Sequence, residues 1–554
     1  MLKSPAAIYV NWAAYDELSD NVELTEAIAM RQLAELLRLR SLGVRLDYYL
    51  MDCYWFARDG AYRSWRRPHW TDGPDRWLDK CGANKVLPGL WFTANTLSKL
   101  DCAPAWRDSL SANGTALCCF HGGYMTDFTQ ALHEWYERGV RAFKFDFADF
   151  SAAPESLLRT MLPSEIRAAN ISAWQGAMKA FRLSHPEALF LAYNGYEERC
   201  LQHGTGEPPY KSMDTRWLEV FDAMYCGDPR PADVPCMNFW RSKDIYSDHL
   251  AIAYSKNGLP LSRIDNSAFM IGTTGTCYRR GLAAWRGMLL LSLARGGWAN
   301  TYYGNLELLG QAEAAWFAKA QRIYLDLQAT AQFEAFGGMP GERKPYGFSA
   351  LRSDGGLLAV VNPGQLVAQL KLPASGSMRV LFHEKGFSPK LENDNLVLGP
   401  EQLALVGVGS HADSAFDLGI EEDVLIPSAS RLLAEFSGGD NQYELEHILA
   451  TPPASGRLRA IFSQADHGGP VRISGGSLPH GKRLGQILEI TAEQNGRKIA
   501  VDIRYDKTIW SGLSWAVGEV DCSSLEPDSP MRIRFATADR RGLRIKGEIY
   551  HVHY

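Results

Sequence analysis

From residue 7 to about residue 330 the chain alternates short β-rich apolar runs with amphipathic helical stretches, and this alternation most narrows its fold. The runs at 8–13, 46–53, 86–93, 142–147, 188–194, 221–226, 260–264 and 298–303 read as strands. Helical periodicity fills 24–40, 164–183, 278–293 and 310–327. Ser164, after Pro163 and before Glu165, suits a helix start. Repeated βα units build a parallel sheet covered by helices. Eight of them close into a (β/α)8 TIM barrel, an α/β fold whose active site lies at the C-terminal strand ends. The competing doubly wound sheet calls for a glycine-rich phosphate turn after strand one, and Asn11-Trp-Ala-Ala-Tyr15 offers none.

After residue 333 the pattern changes. Apolar runs at 357–361, 378–382 and 403–406, separated by Gly, Pro and Asn turns, predict a C-terminal antiparallel β-sandwich. Strand alternation resumes at 488–492, 499–504 and 531–535. The expected division is a barrel at 1–332, a sandwich at 333–415, and a second all-β domain or extension of the sandwich at 416–554.

Charge excludes some partners. Lys plus Arg number 58 and Asp plus Glu 63, a net −5, so neither a nucleic-acid stripe nor a polybasic membrane patch is expected. The apolar stretch 288–294 is far short of the ~20 residues that span a bilayer. The opening residues lack a charged leader followed by a long apolar core, so a cytoplasmic location is expected. Ten cysteines without a CxxC pair or Cys/His ligand spacing read as reduced thiols, and no metal is expected. Of 16 tryptophans, 14 lie in the first 316 positions. Most suit a core, and several suit stacking against a flat sugar face.

The chemistry is densest at Gly139-Val-Arg-Ala-Phe-Lys-Phe-Asp-Phe-Ala-Asp-Phe150. Strand side chains alternate, so Phe143, Phe145 and Phe147 should meet helices while Lys144 and Asp146 enter the lumen. Two charges there are costly unless paired or functional. One reading is a structural ion pair. The other is a nucleophilic carboxylate kept ionised by the adjacent ammonium. Retaining glycosidases need a second carboxylate ~5–5.5 Å from the first. Asp228, just past strand six in a loop with Arg230, is the candidate, although an Asp before Pro229 also suits a plain turn. Asp222, within the strand, reads as structural. Asp265, at the end of strand seven, is the rival acid/base.

The strand Phe143-Lys-Phe-Asp-Phe147, followed by Ser151-Ala-Ala-Pro154 and taken with Pro88-Gly-Leu-Trp-Phe-Thr93, resembles the α-galactosidases of glycoside hydrolase family 36 and their family 27 relatives. The resemblance implies a nucleophile at Asp146. It implies an acid/base at Asp228, followed here by Pro229, Pro231, Pro235 and then Asn238-Phe-Trp-Arg241. Where the family carries two adjacent Asp residues after strand two, this chain has Met51-Asp52-Cys53-Tyr54-Trp55. Asp52 would accept from a sugar diol and Trp55 could stack on the ring. Lys144 would orient a hydroxyl. Tyr193 and Asn194 end strand five, where the family reads the sugar's 2-position. Trp91 suits either core or ligand, and Trp240 with Arg241 either a subsite wall or a packed pair.

These residues predict a retaining exo-acting α-glycosidase, an α-galactosidase before an α-N-acetylgalactosaminidase, acting on an oligosaccharide or glycoconjugate without a cofactor. A homo-oligomer is compatible with this. The competitors are a non-catalytic carbohydrate-binding barrel and a lyase using a metal or a Schiff base at Lys144.

Overall fold

The computed structural model of the chain describes residues 2–18, 20–196, 213–226, 234–265, 269–275, 280–464, 488–504, 515–537 and 544–554. Eight parallel strands form one sheet: β1 (Ala6–Val10), β2 (Tyr48–Met51), β3 (Leu87–Thr93), β4 (Ala142–Asp146), β5 (Leu189–Ala192), β6 (Ala223–Met224), β7 (Phe269–Ile271) and β8 (Ala299–Gly304). Their order is β6-β5-β4-β3-β2-β1-β8-β7. A parallel bridge between Met224 and Ile264 sets β6 beside the residues leading into β7 and closes the barrel. Helices α1 (Glu26–Ser41), α2 (Asp75–Ala83), α3 (Tyr124–Glu137), α4 (Glu155–Leu158), α5 (Pro163–Ser184), α6 (Phe239–Lys256), α7 (Trp285–Ala294) and α8 (Gln311–Thr330) fill the connections. The expected (β/α)8 barrel is the observed fold.

Burial explains why these segments form. Every residue of β1 and of β4 is buried, as strands covered on both faces require. α5 buries Ile166, Asn170, Trp174, Met178 and Phe181, one stripe at helical spacing. It starts earlier than Ser164: Pro163 occupies the first turn, where its missing N–H costs nothing, and Glu165 accepts from Leu162 N at 2.8 Å. Phe143 and Phe145 pack outward on Phe181 and Trp174, at ring separations of 5.5 and 5.2 Å.

The seventh strand differs from expectation. Residues Leu261–Arg263 form a 3-10 turn, and the strand proper is Phe269–Ile271. Pro260 cannot donate to a ladder. The Arg263 guanidinium donates to the carbonyls of Asp222 (2.8 Å) and Leu218 (2.9 Å), drawing this stretch towards the start of β6. Asp265 makes a parallel bridge with Ala299, the first residue of β8, so it opens the seventh stave rather than ending it.

Beyond the barrel, a six-stranded sheet from Gln332–Gly337 to Gly419–Leu425 faces a three-stranded one across Leu358, Val360, Leu396 and Val406. Gly419–Leu425 pairs with Met378–Lys385, so the sandwich reaches residue 425 rather than 415. A five-stranded and a four-stranded antiparallel sheet follow from Ala429, with Phe462 stacked on Phe535 at 5.0 Å between them. All three units meet at Glu401. Its carboxylate accepts from Met237 N (2.7 Å), Asn238 N (3.1 Å), Gln365 Nε2 (2.7 Å) and Arg459 Nη1 (3.3 Å). Met237 itself lies in the core of the last unit.

Candidate active site

Asp146 ends β4 and is 6% exposed. Its Oδ2 accepts from the Trp91 indole N–H at 3.1 Å. Its Oδ1 accepts from Phe147 N (2.8 Å), Asn194 N (3.1 Å) and Asn194 Nδ2 (2.9 Å). Two backbone features create this cradle. Phe147 turns into the left-handed region (φ +51°), folding its N–H back onto Asp146 and laying its ring against Trp91 rather than against helices as expected. Gly195 (φ +102°) lets the end of β5 approach the turn after β4, since a Cβ there would stand 2.2 Å from the Ala148 carbonyl oxygen. The Ala148 N–H donates to Asn194 O at 2.9 Å and secures that approach.

Lys144, two residues earlier on the same face, points elsewhere. Its ammonium donates to Asp52 Oδ2 at 2.7 Å, with the two residues 5% and 2% exposed. The adjacent ion pair expected at Asp146 is therefore made with Asp52. Register explains the reach: Lys144 lies beside Trp91 on β3, and Leu90 lies beside Met51 on β2. Asp52 is fixed by its own backbone, because its N–H donates to Asn11 Oδ1 (2.8 Å) and its Oδ1 accepts from Cys53 N (2.8 Å). Burial alone would lower the Lys144 pKa. The Asp52 carboxylate, with Tyr303 and Asp146 adding to it, reverses that and holds the side chain as an ammonium well above the ordinary lysine range.

Asp265 lies buried in the lumen. It accepts from Tyr193 Oη (2.7 Å) and Thr301 Oγ1 (2.6 Å), and burial pushes its pKa up to about 6. The Tyr193 hydroxyl also meets that of Tyr303, whose oxygen lies 3.5 Å from Lys144 Nζ. Asn11, Thr301 and Tyr303 escaped the sequence reading. The alternation of Thr301 and Tyr303 along β8 was the available signal, since both reach the lumen while Tyr302 between them turns outward to Gln321 and Phe317.

Two aromatic assignments need correction. Trp55 is 0% exposed, and its ring is enclosed by Trp65 (4.6 Å), Trp135 (5.1 Å) and Phe92 (5.5 Å). It offers no stacking face; its indole props β3 by donating to Trp91 O at 2.7 Å. Trp240 packs with Ala284, Phe387, Val424 and Ile426 where barrel meets sandwich, and Arg241 is buried on Glu384, Asp244 and the Glu401 carbonyl. Neither forms a subsite wall. Asp222 accepts from Arg182 (2.7 Å) and Phe190 N (2.9 Å), a structural role as expected. Asp228 and Arg230 lie outside the described residues.

No protein-family model matches the chain, and no curated protein sequence does. Solved structures do. The galactosidase domain of the α-galactosidase–sucrose kinase AgaSK aligns with a TM-score of 0.50 at 12% identity, over 74% of this chain and 55% of that one. The family 36 α-galactosidase AgaA of Geobacillus stearothermophilus, solved with stachyose, aligns with a TM-score of 0.50 at 13% identity over 73% and 56%. The fold is therefore similar to that of these α-galactosidase structures. The chain spans little more than half the length of these two α-galactosidase structures. In this barrel Asp146 gathers Trp91 and Asn194, while Lys144 joins Asp52 to the line of Tyr303, Tyr193 and Asp265; Trp55 only supports the backbone of Trp91 from behind, and Trp240 lies apart.

Proposed function

We propose that the protein is a glycoside hydrolase that removes terminal α-galactosyl groups with retention of configuration. The observation that carries this reading is the cradle of Asp146. A carboxylate at a barrel strand end, oriented by a tryptophan N–H and by Asn194, is what a nucleophile at an anomeric carbon requires. Three N–H groups commit Oδ1 to the scaffold, so we assign attack to Oδ2. Attack forms a glycosyl ester and expels the leaving oxygen, which takes a proton from an acid assigned to Asp228. That group, now a base, then draws a proton from water as the water cleaves the ester.

The Lys144–Asp52 pair offers a donor and an acceptor side by side, suited to adjacent sugar hydroxyls. The Schiff-base alternative needs a neutral amine at Lys144, and its environment favours the ammonium. The test is hydrolysis across a panel of aryl α-glycosides, with NMR of the first-formed anomer. Retention is expected, as is loss of several orders of magnitude of turnover in Asp146→Ala. Inversion, or an active Asp146→Ala enzyme, overturns the mechanism.

A further inference from the structure

In the lumen beside the Lys144–Asp52 pair, side chains from several staves form one hydrogen-bonded line whose protons can be counted. Asp265 Oδ1 accepts from Thr301 (2.6 Å) and Oδ2 from Tyr193 (2.7 Å); Tyr193 meets Tyr303; the Tyr303 oxygen lies 3.5 Å from Lys144 Nζ. Each tyrosine has one hydrogen to donate. While Asp265 is ionised, Tyr193 gives it that hydrogen and can only accept from Tyr303. Tyr303 then turns a lone pair towards the ammonium. When Asp265 is protonated it can donate to Tyr193, the line reverses, and the Tyr303 hydrogen is driven towards Lys144. An ammonium has only hydrogens to present, so the contact becomes repulsive. The same cation sits 4.0 Å from the Tyr193 ring centroid and 5.4 Å from that of Tyr303, so the line orients the rings that box it.

We infer that Asp265 is a positioning residue, whose carboxylate aligns Tyr193 and Tyr303 and thereby holds Lys144 against Asp52 in the geometry that binds the sugar. This rests on the reading of Lys144 and Asp52 as sugar-binding groups. The groups facing Asp265 are Tyr193 at the end of β5, Thr301 and Tyr303 on β8, Lys144 on β4, and Arg295 after α7, itself bonded to Asp248 at 2.7 Å. Burial outweighs their lowering influence and pushes the carboxyl up to about 6, so the line reverses as the pH passes that value.

Calorimetric titration with galactose and hydrolysis of 4-nitrophenyl α-galactoside, each followed from acid to neutral pH, test this. In the wild type, galactose affinity should tighten as pH rises through about 6. Asp265→Asn, which has one acceptor oxygen where the carboxylate has two and no charge to align the line, should weaken galactose binding and raise KM by roughly tenfold at neutral pH, leave kcat nearly unchanged, and abolish the pH dependence. Tyr303→Phe keeps the ring and breaks the line, so it should give the same defect, and the double variant should be no worse than either alone. Unchanged affinity in both single variants, or additive losses, overturns the inference. So does a fall in kcat at constant KM in Asp265→Asn, the mark of an acid acting directly. A wild type that binds galactose but cleaves no aryl α-glycoside defeats the glycosidase reading while the binding arm still judges Asp265. One that does neither defeats both.

Discussion

The indole N–H of Trp91 and the outer oxygen of Asp146 are 3.1 Å apart, on neighbouring strands whose register sets Trp91 beside Lys144 and Thr93 beside Asp146. The tryptophan is therefore a clamp on the carboxylate. Trp91→Phe should keep most of the packing and lose a bond to a charged acceptor worth about 1.5–3 kcal/mol, or roughly 10- to 100-fold in kcat. Steady-state kinetics on an aryl α-galactoside, with a melting curve as control, checks this.

Gly195 sets a second limit. With φ at +102° and the Ala148 carbonyl 2.2 Å from where a Cβ would stand, Gly195→Ala must push β5 and the β4 turn apart. We expect a loss of about 1–3 kcal/mol in stability by urea titration. Turnover should fall further, because Asn194 leaves Asp146.

Breaking the Lys144–Asp52 pair should be expensive. Lys144→Met leaves a buried carboxylate without its partner, a loss of about 3–5 kcal/mol by chemical denaturation. Adding Asp52→Asn should recover much of the stability and none of the galactose binding.

Stability should also respond to pH through Glu421, buried where the sandwich meets α7 and accepting from Gly287 N at 3.0 Å. Burial pushes its pKa from 4.5 to about 7, against the lowering effect of that N–H and of Arg286. Between these values the folded state binds a proton that the unfolded state releases, so its stabilising share is full below the lower value and is lost as pH rises through the higher. Glu421→Gln should therefore gain on the wild type as pH rises, by up to about 3 kcal/mol above neutrality. Denaturant midpoints taken from acid to mildly alkaline pH decide it; a constant difference would rule the idea out.

Period-two alternation made the lumen placement of Lys144 and Asp146 legible, because every residue of β4 is in regular strand. The same rule fails one residue later. Phe147 leaves the strand with positive φ, and its ring swings to Trp91. Trp55 was misread for the same reason, since it lies four residues past β2, where no period applies. Asp265 was placed at the wrong end of its stave because Pro260 and Arg263 turned an apolar run into a 3-10 turn. The partner of Lys144 was hidden too. Alternation shows which side of the sheet a charge occupies, whereas the choice of Asp52 over Asp146 depends on register across two neighbouring strands.

Met237 belongs by sequence to the barrel and by packing to the interior of the final β-unit, with its amide tied to Glu401. A shortened chain ending after the sandwich would thus leave an oily plug in water, together with a Glu401 stripped of Arg459. The start of α6 would keep its bonds to Glu401 but lose the packing of Met237 beneath it. The tail is masonry shared with the barrel, and anyone transplanting the barrel must carry it along.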